Sequence, residues 1–230
     1  MAVIETRLAH QVHRVATTLL AEAATRPSVP LGALTQLRDF VVAHLRHHHE
    51  TEDNDLWPRI VAAVPATERE LGALSEEHER LDTALHLLAA VNLNGDRPED
   101  GAGVAVSTHA GDDGAAEGLR TALRDAAAAV RDTVHDHLAH EEPLLLPALR
   151  DRLSPAEWRD FAQQVIATTP PVAGHLMVGF LDEVGSTADV ELVLANLPEP
   201  VRPLLPAMRT QATDDLRILR GNGSRSEGAA

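Results

Sequence analysis

His48-His49-Glu50-Thr51-Glu52-Asp53-Asn54-Asp55-Leu56-Trp57-Pro58 and His137-Leu138-Ala139-His140-Glu141-Glu142-Pro143-Leu144-Leu145-Leu146-Pro147 say nearly the same thing twice. Both reduce to His-x-x-x-Glu-acid-x-x-Leu-apolar-Pro. On a helix, side chains four residues apart stack on one face with Cβ atoms roughly 5–6 Å apart, so each segment offers an imidazole and a carboxylate to one point. Two such pairs facing each other make a metal site, and the helices that carry them make a bundle.

The rest of the composition agrees with helices. Hydrophobic residues make up 44% of the 230-residue chain, yet aromatics only 2%, and tyrosine is absent. An aliphatic core of Ala, Val and Leu suits close-packed helices better than a sheet. The net charge of −15 argues against nucleic acid and anionic membranes as partners, because both select clustered Lys and Arg. Glu5, Arg7, His10, His13 and Arg14 interrupt the first twenty residues, and no run of about eighteen apolar residues occurs, so a cytoplasmic protein is expected. With no cysteine, thiolate metal sites, iron–sulfur clusters and cysteine nucleophiles are excluded. Any metal is held by nitrogen and oxygen.

Along the chain, Ile4, Leu8, Val12, Val15 and Leu19 follow the spacing of an amphipathic helix, which Pro27 and Pro30 end. A second helix is expected from about Leu31 to Ala63. Thr67-Glu68-Arg69-Glu70 has capping-box spacing and opens a third, which reaches about Val91. Residues 92–118, rich in glycine and acids, read as a mobile loop. A fourth helix is expected over about Leu119–Arg152, bent or locally broken at Pro143. Ser154-Pro155-Ala156-Glu157 is an N-cap sequence with proline at the first helical position. Shorter helices are expected near 171–184, 187–196 and 200–220. The expected fold is therefore all-α: an antiparallel four-helix bundle over residues 1–153, a helical extension over 154–220, and a polar, disordered tail over 221–230.

The apolar stripes select among the histidines. In the second helix Leu37, Val41, Leu45, His48, Glu52 and Leu56 form one row, which leaves His47 and His49 on its flanks, solvated or supporting, and His44 ambiguous. In the fourth, Leu123, Ala126, Val130, Val134, His137, Glu141 and Leu145 form a row, with His135 and His140 off it. In the third, His78 is the one polar member of the row Leu71, Leu74, His78, Leu81, Leu85 and Leu88. Asp82 lies one turn on and within reach of the same centre, whereas His86 is about 12 Å away along the axis. On the first helix His13 edges the apolar face and His10 lies nearly opposite it, so His13 is preferred.

Burying ionised carboxylates among aliphatic side chains costs several kcal/mol each without compensation. A cation is the obvious compensation. Imidazole and carboxylate without thiolate suit iron, manganese or zinc, and six or seven donors exceed what one tetrahedral zinc needs. Two metals bridged by Glu52 and Glu141 follow, iron first, manganese and zinc behind it.

With these positions in hand, the chain resembles the hemerythrin-like family, the His-His-Glu cation-binding domain, over roughly residues 5–150. The family's pattern falls on His13, on His48 with Glu52, on His78, and on His137 with Glu141. Residues Trp158 to Arg220, with Leu197-Pro198-Glu199-Pro200-Val201-Arg202, resemble a helical extension of actinobacterial members. The resemblance implies a four-helix bundle around an oxo- or hydroxo-bridged, non-haem di-iron pair with one open position for a small molecule. The oxygen-carrying members place a second histidine one turn after the third-helix histidine, where this chain has Asp82. The implied function is binding, sensing or detoxifying O2, NO or peroxide. The alternative is a di-iron oxidase or oxygenase acting on a small organic substrate, in a pocket that the C-terminal helices cover and His175 lines; a storage or structural metal protein is a third. No Glu-x-x-His occurs, so the ferritin-like carboxylate signature is missing, and without tyrosine there is no tyrosyl radical.

Overall fold

A computed structural model describes residues 1–93 and 110–222. Its elements are α1 (Ala2–Ala24), α2 (Leu31–Thr51), a π-turn (Glu52–Leu56), α3 (Trp57–Ala63), α4 (Glu68–Ala89), α5 (Ala110–Arg152), α6 (Pro155–Thr168), α7 (Gly174–Val184), α8 (Thr187–Leu194) and α9 (Leu205–Leu219), with single 3-10 turns at Pro65–Thr67 and Arg202–Leu204. Helices α1, α2, α4 and α5 close a ring in which α1 touches α2 and α5, and α4 touches α2 and α5. This is the all-helical bundle that the aliphatic stripes require. Among the described residues no helix is long and apolar enough to cross a membrane.

Several local expectations change. Helix α5 begins at Ala110, inside the stretch read as a loop over 92–118; residues 94–109 lie outside the described set, as does the expected tail from 223. Pro143 and Pro147 both sit inside α5, which runs on through them without a break. Proline removes one hydrogen-bond donor, and the flanking turns and the packing of Leu145 and Leu149 carry the helix across. Thr67 does not form a capping box: its hydroxyl donates to the Val64 carbonyl instead. Ser154 does, accepting from Glu157 N–H while the Glu157 carboxylate accepts from Ser154 N–H.

The second helix is continuous from Leu31 to Ala63 only by way of the π-turn, where Trp57 N–H donates to the Glu52 carbonyl. Pro58 explains it. Its ring lacks an N–H and crowds the carbonyl four residues back, and a widened turn is one way a helix absorbs this.

The core is split. One apolar cluster holds Leu45, Leu81, Val134, Leu138 and Val12. The other holds Leu56, Trp57, Leu74, Leu145 and Leu149, together with Trp158 and Phe161 of α6. Between them, at the level of residues 48–52, 78 and 137–141, the bundle interior is polar.

The C-terminal helices pack on the α1–α2 side, α7 against α1, α2 and α9, and α8 against α1. Gly179 permits the closest approach: a Cβ there would lie 2.6 Å from Ala212 Cβ and 3.0 Å from Leu216 Cδ1 of α9. Gly179→Ala is expected to lower the unfolding free energy by about 1–3 kcal/mol through this overpacking. Urea denaturation measures it, and an unchanged midpoint would show that α7 and α9 are free to separate.

Candidate metal centre

Two groups of buried donors meet inside the polar layer. His49, Glu52, His78 and His137 form one; His10, His48, Glu52 and Glu141 form the other. Within each group one ligand atom per residue lies within 4.8 Å of all the others. Glu52 belongs to both. Glu141 Oε2 lies 3.6 Å from His10 Nε2 and 3.5 Å from His137 Nε2, so it too touches both groups.

The imidazoles are oriented from behind. His78 Nδ1 and Asp53 Oδ2 are 2.9 Å apart, His137 Nδ1 and Glu77 Oε2 3.0 Å, and His10 Nδ1 and Glu142 Oε1 3.1 Å. A carboxylate only accepts, so each Nδ1 is the protonated nitrogen and donates. Each Nε2 then carries its lone pair toward the centre, the arrangement by which carboxylates orient metal-bound histidines. These supports have sequence addresses. Asp53 and Glu142 are the acids that directly follow Glu52 and Glu141, so the second acid of each repeat holds a histidine on a different helix.

With both rings neutral and in those tautomers, His78 Nε2 and His137 Nε2 face each other at 3.1 Å with no proton between them. Two lone pairs at that distance repel. Two nitrogens each about 2.1 Å from one ion and at right angles to each other stand about 3 Å apart, which is the spacing found. The donor set fits a cation on a second count. Among the described residues seven buried side-chain polar atoms have no hydrogen-bond partner, and six of them are His10 Nε2, His48 Nε2, His49 Nε2, Glu52 Oε2 and both Glu141 oxygens. Orphaned buried groups are rare and costly, and here they converge on two points.

Electrostatics tell the same story. Burial, and then the neighbouring histidines, push His48 and His49 well below the usual histidine range, so both are neutral at neutral pH and able to donate a lone pair. Burial, and then Glu141, raise the Glu52 carboxyl well above its ordinary value. Without a cation the layer cannot hold both glutamates ionised.

Of the residues singled out from the sequence, the structure brings His48, Glu52, His78, His137 and Glu141 together. His13 and Asp82 stand apart. His13 is buried, with its ring 4.8 Å from that of His48, but belongs to neither group; burial first, then His10 and His44, lowers its pKa to about 3. Asp82 is on the surface, paired with Arg46 at 2.9 Å. In their places stand His10 and His49. The wheel misplaced His10 because α1 is covered on two sides: Leu8 approaches Gly185 at the end of α7, so the apolar stripe partly serves the C-terminal helices. The opposite row of His10 and Arg14 meets Glu141 and Glu142 of α5. His49 falls off the apolar row only when its angle is measured from His48. Measured from Glu52, the two lie three and four residues back, and both spacings make helix neighbours. Glu52, shared by both donor groups, has a histidine on each flank.

His44 and His47 face the C-terminal segment, His44 Nε2 donating to the Val172 carbonyl (3.0 Å) and His47 Nε2 within 2.8 Å of Thr168 Oγ1. His175 lies apart, against Asp215 at 2.9 Å. An apolar cavity of about 210 Å³ reaches His48 and Glu52 from the side of α6, α7 and α8. A polar cleft lined by Arg46, Glu50, Asp53 and Glu79 reaches His49 and His78 from the other side.

Asp53→Asn and Glu142→Gln are expected to weaken metal binding by about 10–100-fold each while leaving the helical content unchanged. Competition with a chelator measures the loss. Affinities equal to the parent's would mean that these carboxylates orient nothing.

Comparison with known families places residues 5–111 in a match to the model described as Hemerythrin HHE cation binding domain. No curated protein and no solved structure matches the chain. The matched segment carries His10, His48, His49, Glu52 and His78; His137 and Glu141 lie beyond it, on α5, and join the site through geometry.

Proposed function

Because residues 5–111 match the hemerythrin HHE cation-binding domain, we propose that the two donor groups hold a pair of iron ions, with Glu52 and Glu141 shared between them, and that the protein binds, senses or detoxifies a small oxidant such as O2, NO or peroxide. The observation that carries this reading is the convergence of six unpartnered buried nitrogens and oxygens on two points that share Glu52. Nitrogen and oxygen donors without thiolate favour iron or manganese over a closed structural zinc site. When bound, such a pair supplies reversible electron transfer and a position open to a small ligand.

The chain's own residues do the rest. Asp53, Glu77 and Glu142 hold three histidines in the tautomer that presents Nε2. The two apolar clusters on either side of the layer lower the polarity around it and strengthen the charge interactions inside. The apolar cavity gives an uncharged oxidant a path to the His48 side.

The test is optical. Iron-loaded, air-exposed protein is expected to show near-ultraviolet absorption that changes saturably on titration with azide or peroxide. Two bound irons with no saturable change would contradict an oxidant site.

The cavity also supports a second reading, a di-iron oxidase or oxygenase acting on a small organic substrate. Its signature is oxygen uptake that depends on an added organic compound, measured at an oxygen electrode.

A further inference from the structure

The cavity beside His48 is larger than a small oxidant needs. A water-sized ligand takes about 30 Å³, and the cavity measures about 210 Å³. An engineered apolar cavity of roughly 150 Å³ accommodates benzene. We propose that this cavity is a binding site for an uncharged, largely apolar organic molecule of one or two rings, held by a hydrogen bond to His13. The proposal deepens the organic-substrate reading and rests on it for what becomes of the ligand, not for the binding itself.

Three observations set the ligand's chemistry. The walls away from the metal layer are apolar and come chiefly from the C-terminal helices: Trp158, Phe161 and Val165 of α6, Met177 of α7, Val193 of α8. No lysine or arginine lines the cavity, so along the apolar walls, away from the metal layer, an anion would be buried without a counter-charge, at high cost. The lining acid farthest from the metals, Glu5, is already engaged, accepting from Trp158 Nε1–H and from Asn196 Nδ2, so it does not call for a cation.

Of the polar lining residues, Thr6 and His13 make no side-chain hydrogen bond among the described residues, and His13 is the one packed against the metal layer. His44 and His47 are occupied by Val172 and Thr168, and His48 and Glu52 belong to the metal groups. His13 lines the cavity, is only 4% exposed, and among the described residues its ring touches His48 without a hydrogen-bond partner of its own. An imidazole offers one donor and one acceptor, which suits a hydroxyl, carbonyl or N–H on an otherwise apolar ring. His13, set beside the metal layer but outside both donor groups, thereby gains a role as the ligand's anchor.

The experiment uses the full-length, metal-loaded protein and 19F NMR, with 5-fluoroindole, fluorobenzene and 4-fluorobenzoate as probes. The expected result is saturable binding of the two uncharged rings and none of the carboxylate. Ala162→Trp, which fills the cavity from α6, should weaken 5-fluoroindole at least about tenfold, and Ala9→Leu, which fills it from α1, serves should the first variant fold poorly. His13→Leu should weaken 5-fluoroindole about five- to tenfold, the loss of one hydrogen bond, and change fluorobenzene less than about twofold. No saturable binding of 5-fluoroindole, equal binding of the benzoate, or indifference to both filling variants would overturn the proposal. Metal content measured on the same samples separates the two readings. Two metals without probe binding overturns the cavity assignment alone, while probe binding without metal supports the cavity and overturns the metal centre.

Discussion

Glu52→Gln is expected to empty the site of both metals. Glu52 is the one residue in both donor groups, so losing its charge removes a ligand from each ion and the bridge between them. Glutamine keeps the volume, so the surrounding helices have no cavity to collapse into. The metal content after iron loading should fall from two per chain to background. The stability of the metal-free protein should change little. In the parent, Glu52 is 2% exposed and its carboxyl is held well above the ordinary range by burial and by Glu141, a sign that its ionised form is disfavoured there. A carboxyl whose ionised form is disfavoured by its surroundings resembles an amide, so its replacement by glutamine takes little from the metal-free fold. Metal-free Glu52→Gln should therefore unfold at a urea concentration close to that of the metal-free parent, while the metal-loaded parent exceeds both. A variant that keeps two metals would show that Glu52 is a core carboxyl and not a bridge.

His49→Ala and Asp82→Asn form the second large contrast. His49 is 6% exposed with an unpartnered Nε2 and supplies one of the four donors of its group. Its loss should cost that position more than the roughly 10–100-fold expected for a supporting carboxylate, and bring the metal content from two toward one. The His10, His48 and Glu141 donors of the other group remain. Asp82 has a side chain 65% exposed and is paired with Arg46, a surface pair worth about 0–1 kcal/mol. Asp82→Asn should keep both metals and unfold within about 1 kcal/mol of the parent. The reverse pattern, metal loss with Asp82→Asn and none with His49→Ala, would restore the reading that the helical spacing alone suggests.

The contrast also shows what the sequence makes legible. A doubled His-x-x-x-Glu on an apolar stripe is read from periodicity, because four residues make one turn whatever the tertiary fold. That logic places His48, Glu52, His78, His137 and Glu141, and the fold class with them. It fails where a helix has two covered faces or a site has two centres. The buried stripe of α1 answers partly to α7 and α8, which no periodicity within residues 1–24 announces. His49 looks lateral only if one metal is assumed; with two, the flanks of Glu52 are both interior. Asp82 had the right distance along α4 from His78, but Arg46 draws it outward. The supporting acids were visible as part of the repeat, and what hid their role was that each serves a different helix from its own. The cavity is a property of five helices and the π-turn together and has no sequence signature beyond the aliphatic and aromatic residues of α6.

The account stands or falls on how many metals the chain holds. Loading the purified full-length protein anaerobically with iron(II), removing the excess by gel filtration and measuring metal and protein by plasma mass spectrometry and amino-acid analysis gives that number directly. The proposed reading, in which both donor groups that share Glu52 are filled, predicts two irons per chain. One tightly held zinc, or no retained metal at all, would contradict it.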